Sequence, residues 1–203
     1  MAILVTLTEL SEHFTGFAIA MVLGSGTAEN PRPKEVIEVS KQSVTEKYAA
    51  MPGRYFDDFN VGDVYQHLPG RTISQQDNAW FTLLTMNTHP LHFDEEYAAE
   101  TEFGRPLVAS PLTVAIIVGM SVSDVSAKAI ANLGWRDIKL TKPVFPGDTL
   151  YANTEVLAKR ESKSRPNAGI VTVLTRGLNQ EGVEVCVFER QILVPKKHAP
   201  DAA

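Results

Sequence analysis

Residues 107–123 read LVASPLTVAIIVGMSVS, a run without a single charged side chain. A helix that is apolar on all sides either crosses a membrane or lies buried in a protein core. The run contains Pro111, Gly119 and four hydroxyl residues, and its length is marginal for a membrane span, which takes about 20 apolar residues. Because no second candidate span accompanies it, we predict a buried core helix. Pro111 stands early in that helix, where a missing N–H is tolerated.

The strand patterns around this run predict the sheet against which the helix packs. Val171, Val173 and Thr175 alternate in the manner of a β-branched strand. Strands are predicted over residues 63–72, 135–140, 149–159, 169–178 and 183–194, with turns at 146–148 and 180–182. Three long strands joined by short turns form an antiparallel meander. The sequence therefore predicts an α+β fold, with a curved antiparallel sheet wrapped around one long buried helix.

A second helix is predicted before the apolar run. Ser74 precedes the segment QQDNAWFTLLTM and is a good N-cap residue, with Asp77 three residues further on. The helix has a mostly apolar character, and Trp80 is expected to pack in the core or against another helix. We expect a loop over residues 55–62 and a short helix near residues 95–100.

The composition is that of an ordinary globular protein and excludes several classes. The chain has 203 residues, of which 44% are hydrophobic and 21% charged, so it is neither collagen, coiled coil, low-complexity chain nor disulfide scaffold. The net charge of −5 disfavours a general nucleic-acid binder, which would be basic. Cys186 is the only cysteine, which fits a reducing, cytoplasmic compartment, and its strand position predicts an inert core thiol.

The chain divides into an N-terminal extension over residues 1–50, a compact domain over residues 51–197 and a short tail over residues 198–203. Residues 24–35 have the Gly, Pro and polar composition of a linker. The apolar run Phe14–Leu23 is too short to span a bilayer. A secretory signal needs a positive segment before its apolar stretch, and the first basic residue here is Arg32. We therefore expect neither a signal peptide nor membrane association.

Residues 85–94, TMNTHPLHFD, form the stretch most suggestive of chemistry. Polar residues on a loop held by rigid elements are frequent catalytic or binding residues. His89 or His92 could act as a general acid or base, because the ordinary pKa of histidine lies near neutrality. A histidine that merely caps a turn is the structural alternative. Two histidines three residues apart could also bind a metal, but Pro90 argues against the helix that this would need.

Nucleophilic catalysis is a further alternative. Ser110 stands at the start of the apolar helix, but the GxSxG motif of a nucleophile elbow is missing. The sequence also has neither a CxxC nor an HExxH motif, so we predict no metal site.

The segment TMNTHPLHFDEEYAAETEFGRPLVASPLT resembles the signature of MaoC-like, (R)-specific enoyl-CoA hydratases, which have a hot-dog fold. The resemblance extends over about residues 55–196. It implies that His92 is the catalytic histidine, preceded by the motif residues Pro90 and Leu91. Residues 105–108 match the segment before the family's central helix. Ser110 falls where the family has a glycine whose N–H polarises the thioester carbonyl.

The chain departs from this signature at two positions. The family's catalytic aspartate is Asn87 here, and its motif asparagine is His89. With the later stretch ESKSRPNAGIVTVLTRGLNQ, the Asn87 variant resembles the branch that hydrates mesaconyl-CoA and itaconyl-CoA. The resemblance implies a lyase in which neutral His92 takes a proton from water and later returns one to Cα. Asn87 would position the water, and the Ser110 N–H would stabilise the enolate oxygen.

The implied substrate carries coenzyme A, and we expect no other cofactor. A free carboxylate or the phosphates of coenzyme A would need cations, for which Lys163 and Arg165 are candidates, and His89 could contact the carboxylate. The resemblance also implies a homodimer or a higher even oligomer. Two alternatives stay open: a hot-dog thioesterase, and an acyl-CoA-binding subunit without catalysis.

Overall fold

The computed structural model describes residues 51–197. The predicted N-terminal extension and the C-terminal tail lie outside the described residues. The division of the chain at residues 50 and 197 therefore stays a prediction.

One antiparallel sheet of five strands forms the frame of the domain, and its strand order is β1-β3-β4-β5-β2. All four neighbouring pairs are antiparallel. The strand bounds are Val64–Thr72 for β1, Ala131–Leu140 for β2, Thr149–Glu161 for β3, Ala168–Leu178 for β4 and Glu184–Pro195 for β5. The predicted meander is confirmed as β3-β4-β5. Its alternation of buried and half-buried residues is clearest in β4, where Val171, Val173 and Thr175 face the core.

Three helices accompany the sheet: α1 (Gln75–Thr85), α2 (Glu95–Ala99) and α3 (Ser110–Met120). Two 3-10 turns, Phe56–Asp58 and Pro90–His92, and a π-helical turn, Val122–Ser126, complete the regular structure of residues 51–197. The helix predicted from the apolar run is α3. It is shorter than the run, because it begins only at Ser110, one residue before Pro111.

Helix α3 packs against the sheet through one face. Its buried residues are Leu112, Thr113 and Ile117. A Cβ atom built on Gly177 of β4 would lie 2.1 Å from Cδ1 of Ile117, so the glycine permits this close approach of helix and sheet. Ala115 on the opposite side is exposed. The prediction of a buried helix is thus confirmed for the side of α3 that faces the sheet. The opposite side of α3 is exposed within one chain.

Helix α1 reverses the usual pattern of burial. Its two buried residues are the polar Asn78 and Thr82, whereas Trp80 is 68% exposed. The expectation that Trp80 packs in the core or against a helix is wrong. At 100° per residue, Trp80 points nearly opposite to Asn78, which is the side that faces the rest of the domain.

The C-terminal end of α3 is closed by a buried guanidinium. Nη2 of Arg190 donates a hydrogen bond to Oγ of Ser121 at 2.9 Å, and burial lowers the pKa of Arg190 to about 10. Cys186 on the same strand is fully buried, and burial together with Glu184 raises its pKa to about 11. The prediction of an inert core thiol is confirmed, because a thiol with this pKa stays protonated at neutral pH.

Within residues 51–197, no helix is long and apolar enough to cross a membrane.

Candidate active site

The loop between α1 and α2 begins at Met86, which adopts the left-handed conformation with φ 55°. The Met86 N–H caps the helix, with Leu83 O and Thr82 O as its acceptors. The next N–H, that of Asn87, donates to Thr82 O at 2.9 Å. The chain therefore leaves α1 in a sharp turn, and the loop that follows bonds Leu107, three residues before α3, through Leu91 O and His92 Nδ1.

Asn87 and His89 are tied to the backbone of this loop. Oδ1 of Asn87 accepts the His89 N–H at 3.2 Å, and Nδ1 of His89 accepts the Leu91 N–H at 3.2 Å. His89 thus caps the 3-10 turn that contains His92, as the structural alternative predicted. The Nδ2 group of Asn87 has no hydrogen-bond partner in the described part of the chain. Asn87 can therefore donate a hydrogen bond to a ligand or to water.

His92 has one bonded and one available ring nitrogen. Nδ1 lies 2.8 Å from Leu107 O, which is a pure acceptor, so Nδ1 carries the proton. In the neutral ring, the lone pair then lies on Nε2. No group among residues 51–197 bonds Nε2, and the side chain is half-buried. This is the tautomer that a general base requires.

A buried amide connects His92 with the start of α3. Nδ2 of Asn78 donates to His92 O at 2.7 Å and to Leu107 O at 3.0 Å. Its Oδ1 accepts the Ala109 N–H at 2.9 Å. Gln75, one turn earlier on α1, donates to the same His92 O at 3.1 Å. The network fixes the backbone on both sides of the candidate site.

The first N–H of α3 belongs to Ser110, and it has no partner in the described structure. Ala109 O already accepts the N–H groups of Leu112 and Thr113, and Pro111 has no N–H. The N-terminus of a helix carries partial positive charge, because its first N–H groups are unbonded. The Ser110 N–H is therefore positioned to stabilise a developing negative charge.

Apolar clefts open beside these polar groups. Ser110 borders a groove of about 470 Å³ between α3 and β2, and a smaller cleft of about 250 Å³ that also contains Lys142. Asn87 borders a third cleft, of about 380 Å³, together with Met86 and Phe93. The groove at Ser110 against β2 and the cleft at Asn87 have mostly apolar walls, as an acyl group would need.

Lys163 and Arg165 lie far from His92 within one chain. Both are exposed in the turn between β3 and β4, whereas the loop before α3 lies near the start of β3, where the Val108 N–H bonds Val144 O. Thirteen residues of β3 separate the two ends of the sheet, a path of about 40 Å for an extended strand. Their predicted role in substrate binding stays a prediction.

One further side chain in this region has a local role. Asp94 accepts the Tyr97 N–H at 3.0 Å and so caps α2, which leaves His92 without a carboxylate partner in the described structure. Within residues 51–197, no three His, Cys, Asp or Glu side chains come together as a metal site would require.

Asn78 was not among the predicted site residues. An asparagine in the middle of an apolar helix pattern is usually a surface residue. The only signal was its position four residues after the N-cap Ser74, on the same side of α1 as Thr82. Its role depends on contacts 14 to 31 residues away, which no local pattern shows.

Known proteins resemble this chain in sequence and in fold. A family model described as mesaconyl-CoA hydratase matches residues 39–203. A mesaconyl-CoA hydratase of Cereibacter sphaeroides is 36% identical over 145 residues, which are 71% of this chain and 42% of that relative. The crystal structure of a MaoC-like dehydratase from Rhodospirillum rubrum is 30% identical with a TM-score of 0.65, covering 72% of this chain and all of that one.

A third match concerns the architecture. A Mycobacterium tuberculosis protein with a double hot-dog fold is 28% identical with a TM-score of 0.67, and the match covers 74% of this chain and 46% of that one. The predicted hot-dog fold is thereby confirmed. The chain spans about two-fifths of the length of the first curated relatives that it matches.

The matching family model covers most of the chain and includes the loop of His92 and the first turn of α3. The predicted resemblance to MaoC-like proteins is confirmed, and the chain belongs to the mesaconyl-CoA hydratase family.

Proposed function

We propose that the protein is a lyase that adds water to the double bond of an enoyl-CoA, or removes it in the reverse direction. The observation that carries the proposal is the tautomer of His92, whose Nδ1–H bonds Leu107 O and whose Nε2 has no partner among the described residues. The names of the relatives, a hydratase and a dehydratase, support the same reaction.

The proposed hydration proceeds in two proton transfers. Nε2 of His92 takes a proton from water while the water oxygen bonds to Cβ of the enoyl group. The electron pair of the double bond moves to the thioester carbonyl and forms an enolate, whose oxygen accepts a hydrogen bond from the Ser110 N–H. The His92 imidazolium then returns its proton to Cα. Dehydration is the reverse of these steps.

Asn87 positions the water in this scheme. Its Oδ1 is bonded to the His89 N–H, which leaves Nδ2 to donate a hydrogen bond to the water oxygen. An amide has no basic site in the useful pH range, so His92 remains the only strong base of the motif.

The proposed substrate class is a branched dicarboxylic acyl-CoA, such as mesaconyl-CoA. This class rests on the name of the family model and of the Cereibacter sphaeroides relative. His89, Lys163 and Arg165 remain the proposed groups for the substrate's carboxylate or for the phosphates of coenzyme A. The proposed hydration needs no cofactor other than the coenzyme A of the substrate. A cytoplasmic location also stays a prediction, based on the single, unpaired cysteine.

We also propose a homodimer formed through β2. This strand is an edge of the sheet, and four large apolar side chains on it are between 41% and 49% exposed: Leu133, Trp135, Ile138 and Leu140. An exposed apolar edge strand is a template for pairing with another strand. One chain matches half of a double hot-dog protein, which supports a second copy as the other half. A monomer at micromolar concentration by light scattering would contradict the dimer.

The test incubates the purified protein with crotonyl-CoA, mesaconyl-CoA and itaconyl-CoA, and follows enoyl absorbance and free thiol in parallel. We expect loss of enoyl absorbance without thiol release, fastest with one of the two dicarboxylic substrates. Release of free coenzyme A would identify a thioesterase instead. No change in either signal, with binding seen by calorimetry, would identify an acyl-CoA-binding protein and overturn the proposal.

A further inference from the structure

The side chain of Asn78 makes three hydrogen bonds around the candidate site, although it is fully buried. Its amide uses both hydrogens of Nδ2 and a lone pair of Oδ1. Nδ2 donates to His92 O at 2.7 Å and to Leu107 O at 3.0 Å, and Oδ1 accepts the Ala109 N–H at 2.9 Å. Because carbonyl oxygens and an N–H face the two sides of the amide, only one orientation of it satisfies all three bonds.

These three hydrogen bonds position both groups of the proposed reaction, the His92 ring and the Ser110 N–H. Leu107 O, which Asn78 holds, is also the acceptor for Nδ1 of His92 at 2.8 Å, so it sets the tautomer and the direction of the ring. Ala109, which Asn78 also holds, directly precedes Ser110 and forms the N-cap of α3. One amide group therefore fixes the base and the oxyanion donor relative to each other.

The helix that carries Asn78 is itself anchored. Ser74 and Asp77 form a reciprocal capping box, with Ser74 Oγ accepting the Asp77 N–H at 3.1 Å and Asp77 Oδ2 accepting the Ser74 N–H at 2.9 Å. Arg71 pairs with the same carboxylate at 2.6 Å. Asn78 stands in the turn directly after this cap, on a rigid part of α1.

We propose that Asn78 is a positioning residue of the reaction, which aligns His92 Nε2 and the Ser110 N–H on one substrate. This inference rests on the proposed hydratase function. Asn78 touches no substrate, because it is buried beneath the loop. Its loss disturbs the alignment of the reacting groups and leaves the cleft walls unchanged, so it lowers kcat and leaves KM nearly constant.

The test compares Asn78→Leu, which is nearly isosteric and removes all three bonds, with Thr175→Val. Thr175 is an equally buried polar residue, whose hydroxyl bonds Thr154 at 2.9 Å and touches no group of the site. Asn78→Leu should lower kcat about 100-fold, the effect of a small misplacement of reacting groups, with KM within about threefold. Thr175→Val should lose comparable thermal stability and keep kcat within about threefold.

A graded variant sharpens the comparison. Gln75→Leu removes one of the two amide donors on His92 O and leaves Leu107 and Ala109 bonded, so its loss of kcat should be smaller than that of Asn78→Leu. If Asn78→Leu does not fold, Asn78→Ser replaces it with the same expected direction. A kcat within about threefold of wild type in a folded Asn78 variant, or an equal loss in Thr175→Val, overturns the proposal.

A second readout does not depend on activity. The ¹⁵N shifts of His92 report which ring nitrogen carries the proton, and they should show protonated Nδ1 in the neutral wild-type ring and a mixture of tautomers in Asn78→Leu. If the wild-type protein hydrates no enoyl-CoA, the proposed function fails and this spectrum alone decides the role of Asn78. An unchanged tautomer in Asn78→Leu would then contradict the positioning role.

Discussion

Two histidines lie near opposite ends of helix α3, one bonded to Leu107 before the helix and one to Asp124 after it, and they are bonded differently. At the N-terminal end, the half-buried His92 bonds a carbonyl through Nδ1 and has no partner on Nε2 among the described residues. Near the C-terminal end, the buried His67 has Nδ1 3.0 Å from Asp124 Oδ2 and Nε2 2.7 Å from Thr154 Oγ1. An available ring nitrogen is what distinguishes a histidine suited to chemistry from one that holds the fold.

The cluster of Asp124, His67 and Thr154 near the C-terminal end of α3 has the three kinds of group found in a catalytic triad: a carboxylate, an imidazole and a hydroxyl. Thr154 is fully buried, however, and its hydroxyl also bonds Thr175 at 2.9 Å, so no substrate can reach it. Nη1 of Arg54 lies 3.0 Å from Oδ1 of Asp124, the carboxylate oxygen that His67 does not bond. The cluster therefore joins β1, β3, β4 and the π-helical turn after α3, and its role is to stabilise the fold.

The largest effect should come from His92→Ala. Without the base at the N-terminal end of α3, the hydration rate should fall about 1000-fold or more. The free energy of unfolding should change by no more than about 1 kcal/mol, because His92 makes a single side-chain hydrogen bond. Steady-state kinetics and urea unfolding on the same preparation measure both. Activity within about tenfold of wild type would remove His92 from its role.

His67→Ala should give the opposite result. The change leaves a buried cavity and removes the partner of both Asp124 and Thr154, so it should lower the free energy of unfolding by about 2–4 kcal/mol. The activity of the folded fraction should stay within about threefold of wild type, since His67 does not contact the N-terminal end of α3. A loss of kcat as large as that of His92→Ala would erase the distinction between the two histidines.

Asp124 makes the stability of the cluster near the C-terminal end of α3 dependent on pH. Burial alone would raise the pKa of Asp124, but hydrogen bonds from His67 and Arg54 outweigh it and lower the pKa below the ordinary 3.8. A carboxylate with a lowered pKa stabilises the fold above that ordinary value, and the contribution is lost as the pH falls through the lower folded-state value.

The corresponding variant is Asp124→Asn. Urea unfolding should show it to be less stable than wild type by about 1–2 kcal/mol at pH 6. The difference should shrink as the pH falls below 3.8, where wild type loses its own contribution. A difference that stays constant down to pH 2 would show that the charge of Asp124 does not contribute to stability.

The smallest effect on stability is expected at Met86, where the loop that carries His92 begins. Met86 is 86% exposed and has φ 55°, a conformation that costs a residue with a side chain about 1–2 kcal/mol and glycine much less. Met86→Gly should therefore raise the free energy of unfolding by up to about 1 kcal/mol, measured as a higher Tm. A lower Tm would show that the methionine side chain packs more firmly than its exposure indicates.

Much of the fold could be predicted from local patterns. β-branched alternation located β4, turn residues separated the strands, and the Ser74 cap marked the start of α1. Each of these signals acts within a few residues along the chain. The motif around His92 was equally visible, because Asn87, His89 and His92 lie within one short loop.

The remaining features depend on distant contacts. His67 bonds Asp124 and Thr154 across separations of 57 and 87 residues, and Asn78 bonds Ala109 across 31. The periodicity of α1 shows an apolar helix but not which side faces the domain, which is why the prediction for Trp80 was wrong. Burial of a polar residue is decided by partners that only the tertiary structure brings together.

The most direct test of the account is a crystal structure of the full chain with a bound enoyl-CoA or its 3-hydroxy product. In that structure, Nε2 of His92 and Nδ2 of Asn87 should both lie within about 3.2 Å of one water or β-hydroxyl oxygen. The Ser110 nitrogen should lie within about 3.1 Å of the thioester oxygen. A thioester bound elsewhere, with Nε2 of His92 more than about 5 Å from Cβ and no water between them, would contradict the account.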